Sequence, residues 1–425
     1  MQIVKMFKET LIKFKHYGTK GAIRYVLDFV PSRLRKRRQR LFFLHNYAAH
    51  PMEPVDGITV IGDLTARGSI HKALRDFVRS LKDAGINYQT YDTCTKPNIP
   101  KEDVADILTP RADFRLRRFS RIVSMFDNPL PPELNLDVSV IYFWEFTSAF
   151  LQAHPESLSC SSVIGMSDFN VNYFRSILPD EIPVHKILYP FRLVSPNRSA
   201  LAKVRAHYHL DDSSYKVFFN FALSSSYERK NPDGAMQAFA KAFQGKNDTK
   251  LIFKVSGCAG HTKELRQLRR LAGQFGIEDR FVVIEDYLAQ EEIYALTAIC
   301  DVYLSLHRGE GFGLGIAEAM SLGKAVIVTG WSANTEFCND QNSILVPYSI
   351  VKVPSSKKDH IYMESLESWA EPDTNSAALS LKRLYEDRAL METLGKKGRE
   401  FIAEYFSADN FKKSVVKFIA QRPSA

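Results

Sequence analysis

Leu304-Ser305-Leu306-His307-Arg308-Gly309-Glu310-Gly311-Phe312-Gly313-Leu314-Gly315-Ile316-Ala317-Glu318-Ala319-Met320 is the stretch that decides the fold. Val302 to Leu306 read as a buried strand, and Gly311, Gly313 and Gly315 let the backbone turn tightly. Ile316 to Leu322 then read as a helix stopped at Gly323. Free N–H groups at such a helix start favour an anion, and in an α/β sheet the ligand sits at the carboxyl ends of the strands. A nucleotide diphosphate fits that description. Two carboxylates flank the turn, Glu310 in the loop and Glu318 inside the helix. Carboxylates accept hydrogen bonds from vicinal hydroxyls, so a ribose and a hexose would satisfy the pair, and sugar nucleotides carry both.

The glycine turn is one of several α/β units. Ile58-Thr59-Val60-Ile61-Gly62 reads as a strand, Thr65-Ala66-Arg67-Gly68-Ser69 as a turn, and Leu74, Phe77, Val78 and Leu81 as the buried stripe of a helix ending at Gly85. Val138 to Phe143 and Val163 to Ser167 read as further strands, the first running into Trp144-Glu145-Phe146. A crossing follows Ile187-Leu188-Tyr189-Pro190, with Ser195 to Asp212 as linker. Val217 to Phe221 open a second sheet, Ala235 to Phe243 a helix, and Leu251 to Val255 the next strand. A chain of 425 residues exceeds what one hydrophobic core usually organises, which agrees with two domains. Cys94, Cys160, Cys258, Cys300 and Cys338 show no C-x-x-C pairing, so neither a zinc site nor a disulfide framework is expected, and a reducing cytosol suits the chain.

Charge is concentrated at one end. Residues 1–50 carry twelve Lys and Arg against Glu9 and Asp28, while the whole chain has a net charge of only +9, so the remainder is close to neutral. Val4, Phe7, Leu11 and Phe14 follow one helical face, and Ile23, Val26, Leu27 and Val30 repeat the pattern up to Pro31. No apolar run approaches the roughly 20 residues that span a bilayer. Residues 1–40 therefore read as an amphipathic segment on the anionic inner face of the membrane, where each Lys or Arg gains about 1 kcal/mol. Packing on the N-terminal domain is the other reading. Nucleic acid is disfavoured, because Phe7 and Phe14 sit on the apolar face instead of interleaving with the cations.

Glu310 to Glu318 match the E-x7-E signature of retaining glycosyltransferases, and Ser305 to Met320 as a block resembles glycosyltransferase family 4. Glu228-Arg229-Lys230-Asn231-Pro232 resembles that family's basic donor-binding turn, and Trp369-Ala370-Glu371-Pro372-Asp373 its lead-in to the C-terminal helices. The resemblance covers roughly the last half of the chain. It implies a GT-B architecture of two Rossmann-like domains facing a cleft, here with a basic helical extension. The expected divisions are 1–55 for the extension, 56–195 for an acceptor domain, 196–400 for a nucleotide-sugar donor domain, and 401–425 for helices returning to the N-terminal domain.

The same resemblance implies the site. Glu310 and Lys230 are the expected catalytic pair, and Arg229, Lys230, Glu310, Gly311, Phe312, Gly313, Leu314 and Glu318 the donor-binding set. Glu310 would face the transferred sugar, Glu318 the ribose, and Lys230 with Arg229 the leaving diphosphate. Arg67, Trp144 and Glu145 are expected on the acceptor side, Arg67 supplying charge where relatives carry a glycine-rich turn. His307 would orient Glu310 or serve only in packing. No Asp-x-Asp occurs, so no metal or other cofactor is expected. The implied activity is retaining hexosyl transfer from a nucleoside-diphosphate sugar, GDP-mannose first and UDP-hexose next, to a glycan or lipid-linked acceptor of polysaccharide or lipopolysaccharide biosynthesis. A GT-B phosphorylase or epimerase, or a non-catalytic glycan-binding partner, is the alternative.

Overall fold

The computed structural model describes residues 37–50, 55–66, 68–94, 97–116, 118–125, 130–134, 136–142, 160–210, 213–258, 260–354 and 367–421. Six strands form the first sheet: β1 (Val55–Gly62), β2 (Tyr88–Asp92), β3 (Phe119–Met125), β4 (Val138–Ile141), β5 (Ser162–Gly165) and β6 (Val184–Lys186). They are parallel throughout, in the order β2-β1-β3-β4-β5-β6. The helix Ser69–Asp83 follows β1 and buries Leu74, Phe77, Val78 and Leu81, the stripe expected from the sequence.

The second sheet comprises β7 (Tyr215–Ala222), β8 (Thr249–Ser256), β9 (Phe281–Ile284), β10 (Val302–Ser305), β11 (Ala325–Thr329) and β12 (Ile344–Val346). It too is parallel, in the order β12-β11-β10-β7-β8-β9. Its central strands are covered on both sides, which is why β7 and β8 read as nearly unbroken runs of Phe, Val, Ile and Leu. The chain leaves β7 toward β8 on one side and returns through β10 on the other, so the crevice where strand order reverses lies between the carboxyl ends of β7 and β10. That crevice is where ligands bind in open α/β sheets. A hairpin of β13 (Tyr348–Lys352) and β14 (Ser368–Pro372) follows β12.

Three boundaries differ from the sequence reading. Of the basic extension, the structure describes residues from 37 onward, and residues 37–49 form a helix docked on the first sheet. Phe43 is fully buried with its ring 4.7 Å from that of Tyr91, and Asn46 brackets the next segment, donating to Phe114 O at 2.9 Å and accepting from Leu116 N at 2.7 Å. The expected linker contains a helix, Arg198–His207, capped by Asn197 and tied to the helix Gln290–Ile299 through Lys203 and Glu292 at 2.5 Å. The return to the N-terminal half falls after the helix Arg388–Tyr405, where Ser407 caps Ala408–Ala420, and not at residue 401. The last helix packs there through Phe411 on Phe77 at 5.9 Å, and Arg121 donates to Phe418 O at 2.9 Å.

Candidate active site

Two turns converge on the crevice. After β7, Ser226 takes a positive φ of 72° and its Oγ accepts from Arg229 N at 3.2 Å, fixing the single helical turn Tyr227–Lys230. Asn231, also left-handed at φ 52°, ends that turn and caps the helix Pro232–Ala242 by accepting from Gly234 N at 3.1 Å. Its amide also donates to Leu306 O at 2.8 Å, which fastens the turn to the end of β10. Arg229 and Lys230 are thereby aimed at the loop after β10 by backbone geometry.

In that loop Gly313 adopts φ 87° and opens the helix Leu314–Ser321. Gly315 meets a steric demand: a Cβ there would lie 2.5 Å from both Asn220 Oδ1 and Tyr303 Oη, which hydrogen-bond each other at 2.6 Å. Phe312 is buried and stacks on Tyr189 of the crossing segment, ring centres 3.7 Å apart and 11° from parallel.

The charged groups meet in front of this loop. Glu310 is 8% exposed and accepts from Lys230 Nζ, while Arg229 Nη1 lies 3.5 Å from its other oxygen and donates to Gly309 O at 2.6 Å. Burial by itself would raise this carboxyl; Lys230 and then Arg229 outweigh it and hold the pKa at about 2. Glu318 behaves in the opposite way. It is 5% exposed, and burial lifts it to about 7 against the opposing pull of Lys72, with Asp76 pushing further upward. Lys72 and Asp76 belong to the helix Ser69–Asp83 and pair at 2.7 Å, so Glu318 lies within electrostatic reach of the N-terminal half, while its hydrogen bonds run to Gln290, at 3.5 Å, and Tyr294 on the helix Gln290–Ile299.

His307 is fully buried, and burial lowers its pKa, so the ring is neutral at pH 7. Nε2 faces two acceptors, Asn334 Oδ1 at 3.0 Å and Trp331 O at 3.2 Å, and so carries the proton; Nδ1 then accepts from Ser305 Oγ at 3.1 Å. The ring thus secures the segment after β11. Ser332 in that segment accepts from Glu310 N at 2.9 Å, and Ala333 N donates to Glu310 O at 3.2 Å. Arg308 supplies a second layer. It forks onto Glu371 at 2.7 and 2.9 Å, donates to Glu228 O at 2.5 Å, and lies 4.6 Å from the Trp369 ring centre.

Of the residues expected from the sequence, Arg229, Lys230 and Glu310 come together, Gly311 to Leu314 lead from them into the helix, and Glu318 lies one turn further along. Arg67, Trp144 and Glu145 lie outside the described residues. Arg308 and Glu228 were quoted within motifs but given no role, and Ser332 and Asn334 were not mentioned, because each acts through partners that no sequence spacing links. Glu371 was quoted for its motif alone, and it proves to lie in β14. Among the described residues, no three His, Cys, Asp or Glu gather as metal ligands.

Two parallel six-stranded sheets, each flanked by helices, with a charged clamp at the second sheet's switch point, define a GT-B fold. Residues 215–352 match the family described as glycosyl transferases group 1. The serotype-specific mannosyltransferase WbdA of Escherichia coli is 24% identical over 165 residues, which are 38% of this chain and 19% of that protein. The match thus spans about a fifth of that relative's length. Among solved structures, Anabaena HepE in complex with UDP and glucose superposes with a TM-score of 0.60 at 14% identity, covering 87% of this chain and 100% of that one. WaaG, a glycosyltransferase involved in lipopolysaccharide biosynthesis, superposes with a TM-score of 0.56 at 12% identity over 86% of this chain and 100% of its own. Sucrose-phosphate synthase from Thermosynechococcus elongatus gives 0.58 at 16% identity over 86% and 99%.

Proposed function

We propose that this chain is a retaining hexosyltransferase that draws on a nucleoside-diphosphate sugar. The observation carrying the proposal is the Lys230–Glu310–Arg229 cluster at the β7/β10 switch point. An incoming diphosphate is the natural competitor for Lys230, which would turn from Glu310 to the anion while Arg229 and the start of the helix at Gly313 complete the clamp. Glu310, held ionised, then faces the sugar and stabilises positive charge developing at the anomeric carbon. The anomeric C–O bond to the diphosphate breaks, the acceptor oxygen bonds to the same face, and a diphosphate oxygen takes the acceptor proton. Glu318 is assigned to the ribose hydroxyls.

GDP-mannose is the first donor to try, supported by the likeness to a mannosyltransferase, and UDP-hexose the second, supported by the fold shared with a protein solved with UDP. The acceptor is proposed to be a glycan or a lipid-linked glycan at the cytoplasmic face of the membrane, of the polysaccharide or lipopolysaccharide kind. Residues 1–40 would hold the protein against anionic lipid; no helix among the described residues is long and apolar enough to cross a membrane. Metal independence is part of the proposal and rests on the missing Asp-x-Asp and on the cationic clamp.

A thermal-shift series with GDP, UDP, ADP and their sugar conjugates tests the donor, since a ligand at about 100 times its Kd adds roughly 2.7 kcal/mol to native stability. Stabilisation by none of them sinks the proposal. With the responding donor, proton NMR of the first product must show the donor's anomeric configuration. Turnover in excess chelator must match turnover without it; loss restored by Mg²⁺ or Mn²⁺ overturns the metal-free clamp.

A further inference from the structure

The two halves of the chain meet at one carboxylate outside the donor clamp. Glu336 ends the short 3-10 turn Ala333–Glu336 after β11, and its side chain is 6% exposed. One oxygen accepts the N–H of Asp168 at 2.8 Å, at the start of the N-terminal-half helix Asp168–Ile177. The other accepts from Lys186 Nζ at the end of β6 and from Tyr405 Oη at 2.6 Å, on the helix Arg388–Tyr405. Lys186 also reaches Asp168 Oδ2 at 3.0 Å. A carboxylate buried to this degree is stabilised by such partners, and separating the halves would strip Glu336 of Lys186 and the Asp168 N–H, leaving it Tyr405, and leave Lys186 with Asp168.

The other end of the same short segment touches Glu310. Ser332 Oγ and Ala333 N bond the backbone of Glu310, and Asn334 is pinned to His307 and, at 2.9 Å, to Thr329 O. Only three residues thus lie between the interdomain contact at Glu336 and Ser332, which holds the Glu310 loop. Two aromatic contacts cross between the halves beside it, Phe169 on Trp331 at 5.5 Å and Tyr189 on Phe312.

We infer that Glu336 is a positioning residue that latches the two halves together and holds the Ser332–Glu336 segment against the Glu310 loop, so that closure and the setting of Glu310 are one event. The catalytic half of this inference rests on the proposed transfer reaction; the mechanical half does not.

The test uses the full chain and its Glu336→Ala, Glu336→Gln, Lys186→Met and Glu336→Gln/Lys186→Met variants, with GDP, UDP, GDP-mannose and UDP-glucose as probes. Small-angle scattering should report a larger radius of gyration for Glu336→Ala. Slow hydrolysis of the responding sugar nucleotide, which needs no acceptor, should fall by about tenfold or more while the Kd of the free nucleotide stays within about twofold. The double variant should lose about as much as the worse single one, because both remove the same contact. Glu336→Gln, which keeps the volume, should fall between wild type and Glu336→Ala, and it decides the matter with Lys186→Met if Glu336→Ala does not fold. Unchanged scattering and hydrolysis overturn the latch, as does nucleotide affinity falling in step with hydrolysis. If the wild-type chain binds neither GDP nor UDP, the proposed function fails, and the scattering result alone decides the latch.

Discussion

After β1, Asp92 accepts from Leu64 N at 2.9 Å and Thr65 Oγ1 at 2.7 Å, and Arg75 donates to the carbonyls of Leu64 and Ala66. After β10, Glu310 faces Lys230 and Arg229, side chain to side chain. Both places are strand, turn and helix, yet Asp92 and Arg75 at the first hold backbone groups, whereas Glu310 at the second is met by two cationic side chains. A backbone partner cannot leave without unfolding the turn. A side-chain partner can be exchanged for a ligand of the same charge. The second turn is therefore the one proposed to take the anion, and its two carboxylates, Glu310 held at about 2 and Glu318 lifted to about 7, divide into a paired charge and a desolvated one.

The sharpest way to break that contrast is Lys230→Ala. If the pair exists to be exchanged for diphosphate, turnover falls by about 100- to 1000-fold, the scale of losing one preorganised electrostatic donor, while the sheets remain folded. Near-normal turnover, measured with the donor that responds in the thermal series, would mean that the pair only braces the loop.

Next in size is the pH dependence of Glu318. Its folded pKa lies above its ordinary 4.5, so the folded chain holds the proton more tightly than the unfolded one. Its contribution is least costly at or below pH 4.5, grows more destabilising as pH rises to about 7, and is constant above. Glu318→Gln should therefore be the more stable protein at pH 8 by about 3 kcal/mol and should lose that advantage at pH 4.5. Urea midpoints at the two pH values check it. Glu310 has the opposite sign: its folded pKa is depressed, so its stabilisation is present above pH 4.5 and fades as pH falls toward 2. The same Glu318→Gln variant should bind free nucleoside diphosphate more weakly if that carboxylate serves the ribose, and unchanged affinity places it elsewhere.

Smaller again is Arg308→Ala, which removes the fork on Glu371 and leaves that partly exposed carboxylate to water. A loss of about 2 kcal/mol is expected by chemical denaturation, with donor affinity changed far less than stability. An equal fall in both would place Arg308 in the donor site itself. The smallest expected effect is deletion of residues 1–36, which ends before the docked helix 37–49. Nucleotide affinity should stay within about twofold, and co-sedimentation with anionic vesicles should be lost, as it should also be in high salt. Retained sedimentation after deletion removes the membrane assignment from this segment.

Much of the C-terminal half could be read from the sequence because its signals are local. Val302 to Gly323 carry their own strand pattern, turn glycines and helix stripe, and the structure has β10 and the helix Leu314–Ser321 there; the helix read over Ala235 to Phe243 starts earlier, at Pro232, where Asn231 caps it. The sequence marked Gly315 as a turn residue, but only the packed sheet shows that Asn220 and Tyr303 forbid a side chain there. Arg308 finds Glu371 and Glu336 finds Asp168 across long stretches of chain, and no spacing rule links them. Likewise the helix 37–49 owes its place to Phe43 and Asn46 meeting Tyr91 and Phe114, contacts that periodicity cannot name.

The last helix, Ala408–Ala420, belongs by sequence to the C-terminal half and by packing to the other, with Phe411 on Phe77 and the carbonyl of Phe418 on Arg121. Recombination between relatives must respect that. A chimera made with one crossover between the sheets inherits a foreign terminal helix on its N-terminal half and a mismatched Arg121 socket. Exchange of the whole C-terminal half as a working module needs two crossovers, one upstream of Tyr189 so that its stack on Phe312 travels intact, and one at Phe406–Ser407, so that the final helix stays with the sheet it covers.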